Sequence, residues 1–359
     1  MIDSLPATIN QFFELLLQYK ASLLYVSSLF IGGAGAWFIS RTPIRLQLMD
    51  FPSKRSSHVV PVPKGGGLGI LIVAILAGLS LKLPTMFLFP VIIVSIISFY
   101  GDFFQLSVRF RLLVQFAMAI MFIFPLLPGI ANYYMLSRPV IFPALALLIP
   151  PATIVYFVGS TNFFNFMDGI DGIAGICGTI SFGLLGAFGF TYSTNPFGQS
   201  LAIFSICIAL ACIGFIPFNM PKARVFLGDV GSILLGFVFA GIVLTYSRNY
   251  FDLLCLSSFL FPFYADELTT MIIRMKDGEN LVTPHRRHLY QILANEYGIA
   301  HWKVSVGYGL AQLLIGISVF KLRPKGALML LFFLTLYFII FTVVTTVVRI
   351  NVKQKAVQH

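Results

Sequence analysis

The chain has 359 residues, 58% of them hydrophobic and only 10% charged, with a formal net charge of +11. Soluble globular chains carry about 25% charged residues, whereas apolar runs long enough to cross a bilayer recur here from end to end. A cytosolic enzyme and a secreted module are therefore excluded, and one all-α, polytopic membrane bundle forming a single domain over 1–359 accounts for the length.

Asp3 and Glu14 stand where a signal peptide needs a positive n-region, so the first helix is expected to remain in the mature protein. Uncharged runs follow at about 22–40, 66–81, 84–100, 112–129, 139–158, 172–192, 200–217 and 230–247, then at 304–320 and 326–348. A further run begins at 253 and must pass Asp266 and Glu267 before Arg274, which brings the predicted spans to eleven. Cys177, Cys207, Cys212 and Cys255 lie inside these runs without CxxC spacing and read as small buried apolar residues. No repeat, linker or composition shift marks a second domain.

Orientation follows from Lys and Arg, because positive loops stay cytoplasmic. The loops after odd-numbered spans and the C-terminal tail hold seventeen of the 24 cations, which puts the N-terminus outside and the tail in the cytoplasm. The cluster Lys321, Arg323, Lys325 runs against that assignment. Ten of the 13 acidic residues, with His58, His285, His288 and His301, fall on or beside the same loops. Transporters are expected to carry ionisable residues near the midplane or in broken helices, whereas the first eight spans here are free of them.

Five loops, 41–67, 101–111, 159–175, 218–232 and 266–301, carry the candidate chemistry. The first reads DFPSKRSSHVVPVPKGGG from Asp50 to Gly67. Its cations and glycines before an apolar helix suit an anion, since glycine lets backbone N–H groups approach a phosphate and a helix N-terminus adds partial positive charge. Basic residues beside lipid headgroups and a glycine turn would read the same way. In NFFNFMDGIDGIAG, from Asn162 to Gly175, there is no Lys or Arg. A helical start would put Asp168 and Asp171 on one face, with Asn162 and Asn165 a turn earlier. Two carboxylates and two amides suit Mg²⁺ or Mn²⁺ rather than zinc, against the simpler role of N-caps. Asp229, between glycines where an apolar helix begins, is by itself best read as an N-cap. In PHRRHLYQ, His285 and His288 flank Arg286 and Arg287, and the absence of HExxH or a nearby Cys favours a cationic phosphate cluster over zinc.

These residues resemble the polyprenyl-phosphate N-acetylhexosamine-1-phosphate transferases, or glycosyltransferase family 4. The motifs are Asp50-x-Pro52-x-x-Arg55-x-x-His58 with Pro63-x-Gly65-Gly66, then Asp102-x-x-x-Leu106-Ser107 followed by Arg111-Leu112-Leu113, NFMDGIDG, VFLGDVGS and the histidine loop. They occur in the family's order over roughly residues 45–300, and the phospho-MurNAc-pentapeptide translocase is a more distant relative. HRRHLYQ looks most like the branch that starts O-antigen synthesis.

The resemblance implies transfer of an N-acetylamino-sugar 1-phosphate from a UDP-sugar to undecaprenyl phosphate, with release of UMP and with Mg²⁺, or Mn²⁺, as cofactor. It implies a multi-pass protein of the bacterial inner membrane with a cytoplasmic active site and no nucleic-acid partner, and relatives of this kind form homodimers. By the same resemblance Asp229 and Asp168 are the metal ligands, and Asp102 and His288 join them as catalytic residues. Asn165, Gly169, Ile170, Asp171, Asn219 and Phe226 match donor-binding positions, where Phe226 could stack on uracil. Lys64, Gly65, Gly66, His285 and Arg286, with Arg55 and His58, would hold phosphate oxygens. Two departures stand out: Gly101 replaces the first of a usual aspartate pair, and Tyr290 and Gln291 stand where the family often has histidines. The competing classes are a lipid-linked-sugar transporter and a catalytically degenerate polyprenyl-phosphate-binding protein, neither of which would release UMP.

Overall fold

The computed structural model describes residues 7–53, 56–104, 106–127, 143–281, 283 and 285–358. Arg55 lies outside the described residues. The apolar runs become helices: α1 (Ala7–Arg41), α2 (Leu68–Ser80), α3 (Thr85–Phe104), α4 (Val108–Ile123), α5 (Pro143–Phe166), α6 (Ile173–Tyr192), α7 (Pro196–Asn219) and α8 (Gly228–Tyr246). After them come α9 (Tyr250–Ser257), α10 (Phe261–Lys276), α11 (Leu289–Asn295), α12 (His301–Leu322) and α13 (Ala327–Gln358). Eight helices among the described residues are long and apolar enough to cross a membrane, and α2 is a shorter apolar one. The protein is an all-α membrane bundle.

Side chains that satisfy orphan backbone donors set several helix starts. Ser107 accepts from Phe110 N at the start of α4, and Asn195 accepts from Gly198 N at the start of α7. The run from 253 is not one continuous helix. A 3₁₀ turn at Ser258–Leu260 separates α9 from α10, and Pro262 sits in the first turn of α10. That break gives α10 its own direction and lets it bury Asp266, Glu267 and Arg274.

Burial is deepest along α8, which packs on α3 and α5 with Phe237 between Phe122 and Phe157. The Phe157 and Phe237 ring centroids lie 4.4 Å apart. α7 packs along α1 and α6, while most of α13 faces outward. The first loop adds a small departure from helix: β1 (Met49–Asp50) pairs antiparallel with β2 (Val62–Pro63). All four cysteines are buried and unbridged, as their apolar surroundings predict.

Candidate functional site

The loops that begin or end α1, α3, α5, α7, α8 and α12 meet at one end of the bundle around a cleft of about 370 Å³. Asp102 comes from the last turn of α3 and is buried. Its Oδ1 accepts Asp229 N at 3.3 Å and its Oδ2 accepts Val230 N at 3.2 Å, so it caps α8 from another helix. Lys64 Nζ lies 3.5 Å from the same carboxylate. Asp229, in the first turn of α8, pairs with Arg111 from α4 and accepts Asn165 Nδ2 at 2.9 Å. Asn165 also donates to Ser232 Oγ at 2.8 Å, which fixes the end of α5 against the start of α8.

The helical face expected for Asp168 and Asp171 is not what forms. α5 continues through Asn165 and ends at Phe166, and Asp168 to Gly172 is a non-helical loop before α6. Asp171 accepts Ala223 N at 3.2 Å and faces His301 Nδ1 at 3.3 Å. Asp168 differs: among the described residues its carboxylate has no hydrogen bond or ion pair. Burial, and then the neighbouring Asp229, Asp102 and Asp171 carboxylates, push it up to about 7. Each of the other three aspartates has a cation or N–H beside it, while Asp168 has only like charges.

No group of three His, Cys, Asp or Glu among the described residues forms a ready-made metal cage. Mg²⁺ rarely requires one, because one or two carboxylates with substrate phosphates and water complete its octahedron. An unpartnered Asp168 beside the Asp229 carboxylate suits that all-oxygen donor set.

The glycines of the first loop have a different role from the phosphate cradle read in the sequence. Gly66 N donates to Phe226 O and Gly67 N to Leu227 O, both at 2.8 Å, while Phe226 N donates to Pro63 O. These N–H groups are engaged by backbone carbonyls. A Cβ on Gly67 would run into Gly231, and Gly228, at φ +75°, touches the backbone of Gly65. The glycines thus let the loop lie directly on the start of α8, which carries Lys64 to the cleft. Phe226 lines the cleft with His58 edge-on to its ring at 4.9 Å. Asn219 is a strut: it accepts Gly172 N at 2.6 Å and donates to Val225 O at 3.0 Å.

The histidine loop also departs from expectation. His288 is 3% exposed and lies behind the cleft, with Nδ1 3.6 Å from Asp266 and Nε2 3.6 Å from Glu267. Burial opposes its charge, but the Glu267 and Asp266 carboxylates outweigh that and raise its pKa. His285 lines the cleft, and burial, then the neighbouring His288 charge, lower it to about 4. It is neutral near pH 7 and adds no cation for phosphate. Arg286 pairs with Glu296 outside the cleft lining. Asp266 collects Leu289 N at 2.9 Å, Tyr290 N at 3.3 Å and Tyr308 Oη at 2.6 Å, so a buried carboxylate of α10 caps α11. Tyr290 then donates its hydroxyl to Phe166 O at 2.9 Å and backs Gly169. The loop therefore works largely as a brace for the Asp168 segment.

Twelve of the residues proposed from sequence line the cleft: His58, Lys64, Asp102, Asn165, Asp168, Gly169, Ile170, Asp171, Asn219, Phe226, Asp229 and His285. Gly65, Gly66, Arg286 and His288 do not. Sequence reasoning missed Arg111 as a partner of Asp229, and Asp50, Tyr290, Gln291 and His301 as cleft walls. Arg111 had a signal, since it opens the RLL stretch after Asp102. Tyr290 and Gln291 were noted only as substitutions for histidine.

Comparison with known proteins gives one family. Residues 84–247 match the model of Glycosyl transferase family 4, a stretch that includes Asp102, Arg111, Asn165, Asp168 and Asp229. The undecaprenyl-phosphate alpha-N-acetylglucosaminyl 1-phosphate transferase of Thermotoga maritima is 27% identical over 278 residues, covering 76% of this chain and 82% of that protein. A probable undecaprenyl-phosphate N-acetylglucosaminyl 1-phosphate transferase of Bacillus subtilis is 24% identical over 324 residues, with 86% and 87% covered. The phospho-N-acetylmuramoyl-pentapeptide-transferase of Halalkalibacterium halodurans is 29% identical over 309 residues, with 80% and 91% covered.

Proposed function

We propose that the chain acts as a glycosyl transferase family 4 enzyme, moving an N-acetylamino-sugar 1-phosphate from a UDP-sugar to undecaprenyl phosphate and releasing UMP. The observation that carries this reading is the convergence of Asp102, Asp168, Asp171 and Asp229 on one cleft, with Asp168 left without a partner among the described residues. Phosphoryl transfer asks for charge neutralisation and in-line positioning more than for covalent help. Asp168 and Asp229 would hold Mg²⁺, which when bound neutralises diphosphate charge. Lys64, beside Asp102, and Arg111, beside Asp229, add fixed cations at the same cleft. Phe226 and His58 offer a ring pair for the uracil, and Gly169 and Ile170 line the same cleft.

An oxygen of the lipid phosphate attacks the phosphorus that carries the sugar. The bond from that phosphorus to the bridging oxygen breaks, and UMP leaves with the bond's electron pair. A phosphate monoester has a second pKa of about 6, so the lipid phosphate is mostly dianionic near neutrality and needs no strong base. Asp102 is poorly suited to act as a nucleophile, because it already accepts two backbone N–H groups and faces Lys64. It therefore acts by holding Lys64 and the start of α8, and transfer is direct.

The same reading puts eleven spans in the bacterial inner membrane, the N-terminus outside and the cleft in the cytoplasm, where nucleotide sugars are made. The charge asymmetry of the loops supports it. The histidine-loop sequence favours an enzyme that initiates O-antigen or a related envelope polysaccharide. Purified protein with undecaprenyl phosphate, Mg²⁺ and a panel of UDP-N-acetylamino sugars should release UMP with at least one donor. No release with any of them would end the proposal.

A further inference from the structure

The cations at the end of the bundle opposite the cleft run against the charge asymmetry, and Lys321, Arg323 and Lys325 crowd the turn between α12 and α13. Retaining positive charge there works against the rule that sets orientation, which suggests that the charge has a use. A second cavity, about 90 Å³, lies at this end between the closing turns of α6, α8 and α12 and the opening turns of α7 and α9. Its walls include Tyr192, Asn195, Phe197, Arg248, Asp252 and Arg323.

Arg323 is built in rather than loosely exposed. Its guanidinium lies 4.1 Å from the Tyr192 ring centroid, and Nη2 donates to Asp252 Oδ1 at 2.7 Å. This pairing ties α12 to α9 and explains why one arginine is there. It does not explain two further facts. Arg323 Nε is buried and lacks a hydrogen-bond partner. Arg248 also lines the cavity, and among the described residues its guanidinium has no hydrogen bond or ion pair; only its backbone N–H is engaged, by Asp252 Oδ2 at 3.2 Å. Two arginines thus line one cavity with a single carboxylate whose two oxygens are already engaged, one by the Arg323 guanidinium and the other by the Arg248 backbone N–H. Planar guanidinium groups favour phosphate oxygens.

We propose that this cavity binds one phosphate group, presented by an anionic phospholipid at the membrane surface opposite the cleft. The lipid source follows from the mouth: Phe197 is 38% exposed, and Phe190 and Tyr250 nearby on the same helix ends are 46% and 60% exposed. Tyr is enriched at headgroup level, where its apolar ring and hydroxyl both find partners, and Tyr192 walls the cavity while Tyr250 stands exposed beside it. The inference does not depend on the proposed transfer reaction.

The test uses the full chain, delipidated in detergent, and Arg248→Ala, which removes an exposed side chain and leaves the Arg323 to Asp252 pair intact. Native mass spectrometry with added phosphatidylglycerol should show the first lipid adduct held about fivefold less by Arg248→Ala than by wild type, with equal melting temperatures in the absence of lipid. Inorganic phosphate supplies the second arm. If it displaces the adduct and raises the melting temperature of wild type alone, the phosphate site stands and the lipid source falls. Equal retention of phosphatidylglycerol by both proteins, with no phosphate-dependent shift in either, overturns the site.

Discussion

The aspartate loop at 167–172 and the histidine loop at 285–291 pack against each other through Tyr290 and handle charge in opposite ways. In the first, Asp168 is held among carboxylates with no cation beside it, and its pKa rises to about 7. In the second, His288 lies between Asp266 and Glu267, Arg287 pairs with Asp277 and Glu279, and Arg286 pairs with Glu296. One loop is left electrostatically incomplete and the other is closed on itself. An incomplete charge set is costly in a buried place unless a ligand finishes it, so the contrast separates residues placed for a ligand from residues that hold them there.

The largest expected effect tests that contrast directly. Asp168→Asn should lower UMP release by about 10³-fold while the protein stays folded, since it removes an uncompensated charge. His288→Ala should instead act on stability, because it removes the imidazole between Asp266 and Glu267 and leaves Glu267 a buried carboxylate without that partner, a loss on the order of 3–5 kcal/mol. A melting curve that falls for Asp168→Asn and not for His288→Ala would invert the assignment.

The pH dependence of Asp168 comes next. Its pKa is raised from 3.8 to about 7 on folding, so the folded state favours its proton. The associated stability is fully present below the unfolded pKa of 3.8 and is lost as pH rises to about 7. Without divalent cation, Asp168→Asn should therefore melt higher than wild type at about pH 8 and equally near pH 3.5. Cation binding requires the carboxylate, so Mg²⁺ affinity should fall about tenfold per pH unit below 7 in wild type. A pH-independent affinity would remove Asp168 from the metal site.

Tyr290→Phe sharpens the contrast from the bracing side. It deletes only the hydroxyl that reaches Phe166 O, a hydrogen bond worth about 1 kcal/mol. We expect kcat to fall roughly five- to tenfold with KM for the UDP-sugar nearly unchanged. A rise in KM alone would mean that the hydroxyl touches the donor instead. The smallest effect is expected at Gly101, where an added Cβ meets Arg111 and Leu106 atoms only at 3.7 Å. Gly101→Ala should leave turnover within about twofold. A large loss there would show that the missing carboxylate's position carries function of its own.

Fold class was legible in the chain because a bilayer-spanning helix needs a long uncharged run, and such runs are visible without any contact information. The motif order was equally legible, and it brought Asp102, Asp168 and Asp229 forward together with Lys64 and Phe226. What each residue does was not, because partners come from distant loops. Asp102 looks like a loop carboxylate in sequence, yet it caps a helix 127 residues away. The glycines before α2 look like a phosphate cradle, yet their N–H groups are bound by Phe226 and Leu227 carbonyls. His288 looks like the site's imidazole, yet the break at Ser258–Leu260 sets α10 where Asp266 and Glu267 can enclose it. Composition and spacing determine which segments enter the membrane and which polar residues gather at one end. Only the packing of α3, α5, α8 and α10 decides which of those charges are neutralised and which is left open, because that depends on distances of a few ångströms between groups more than a hundred residues apart.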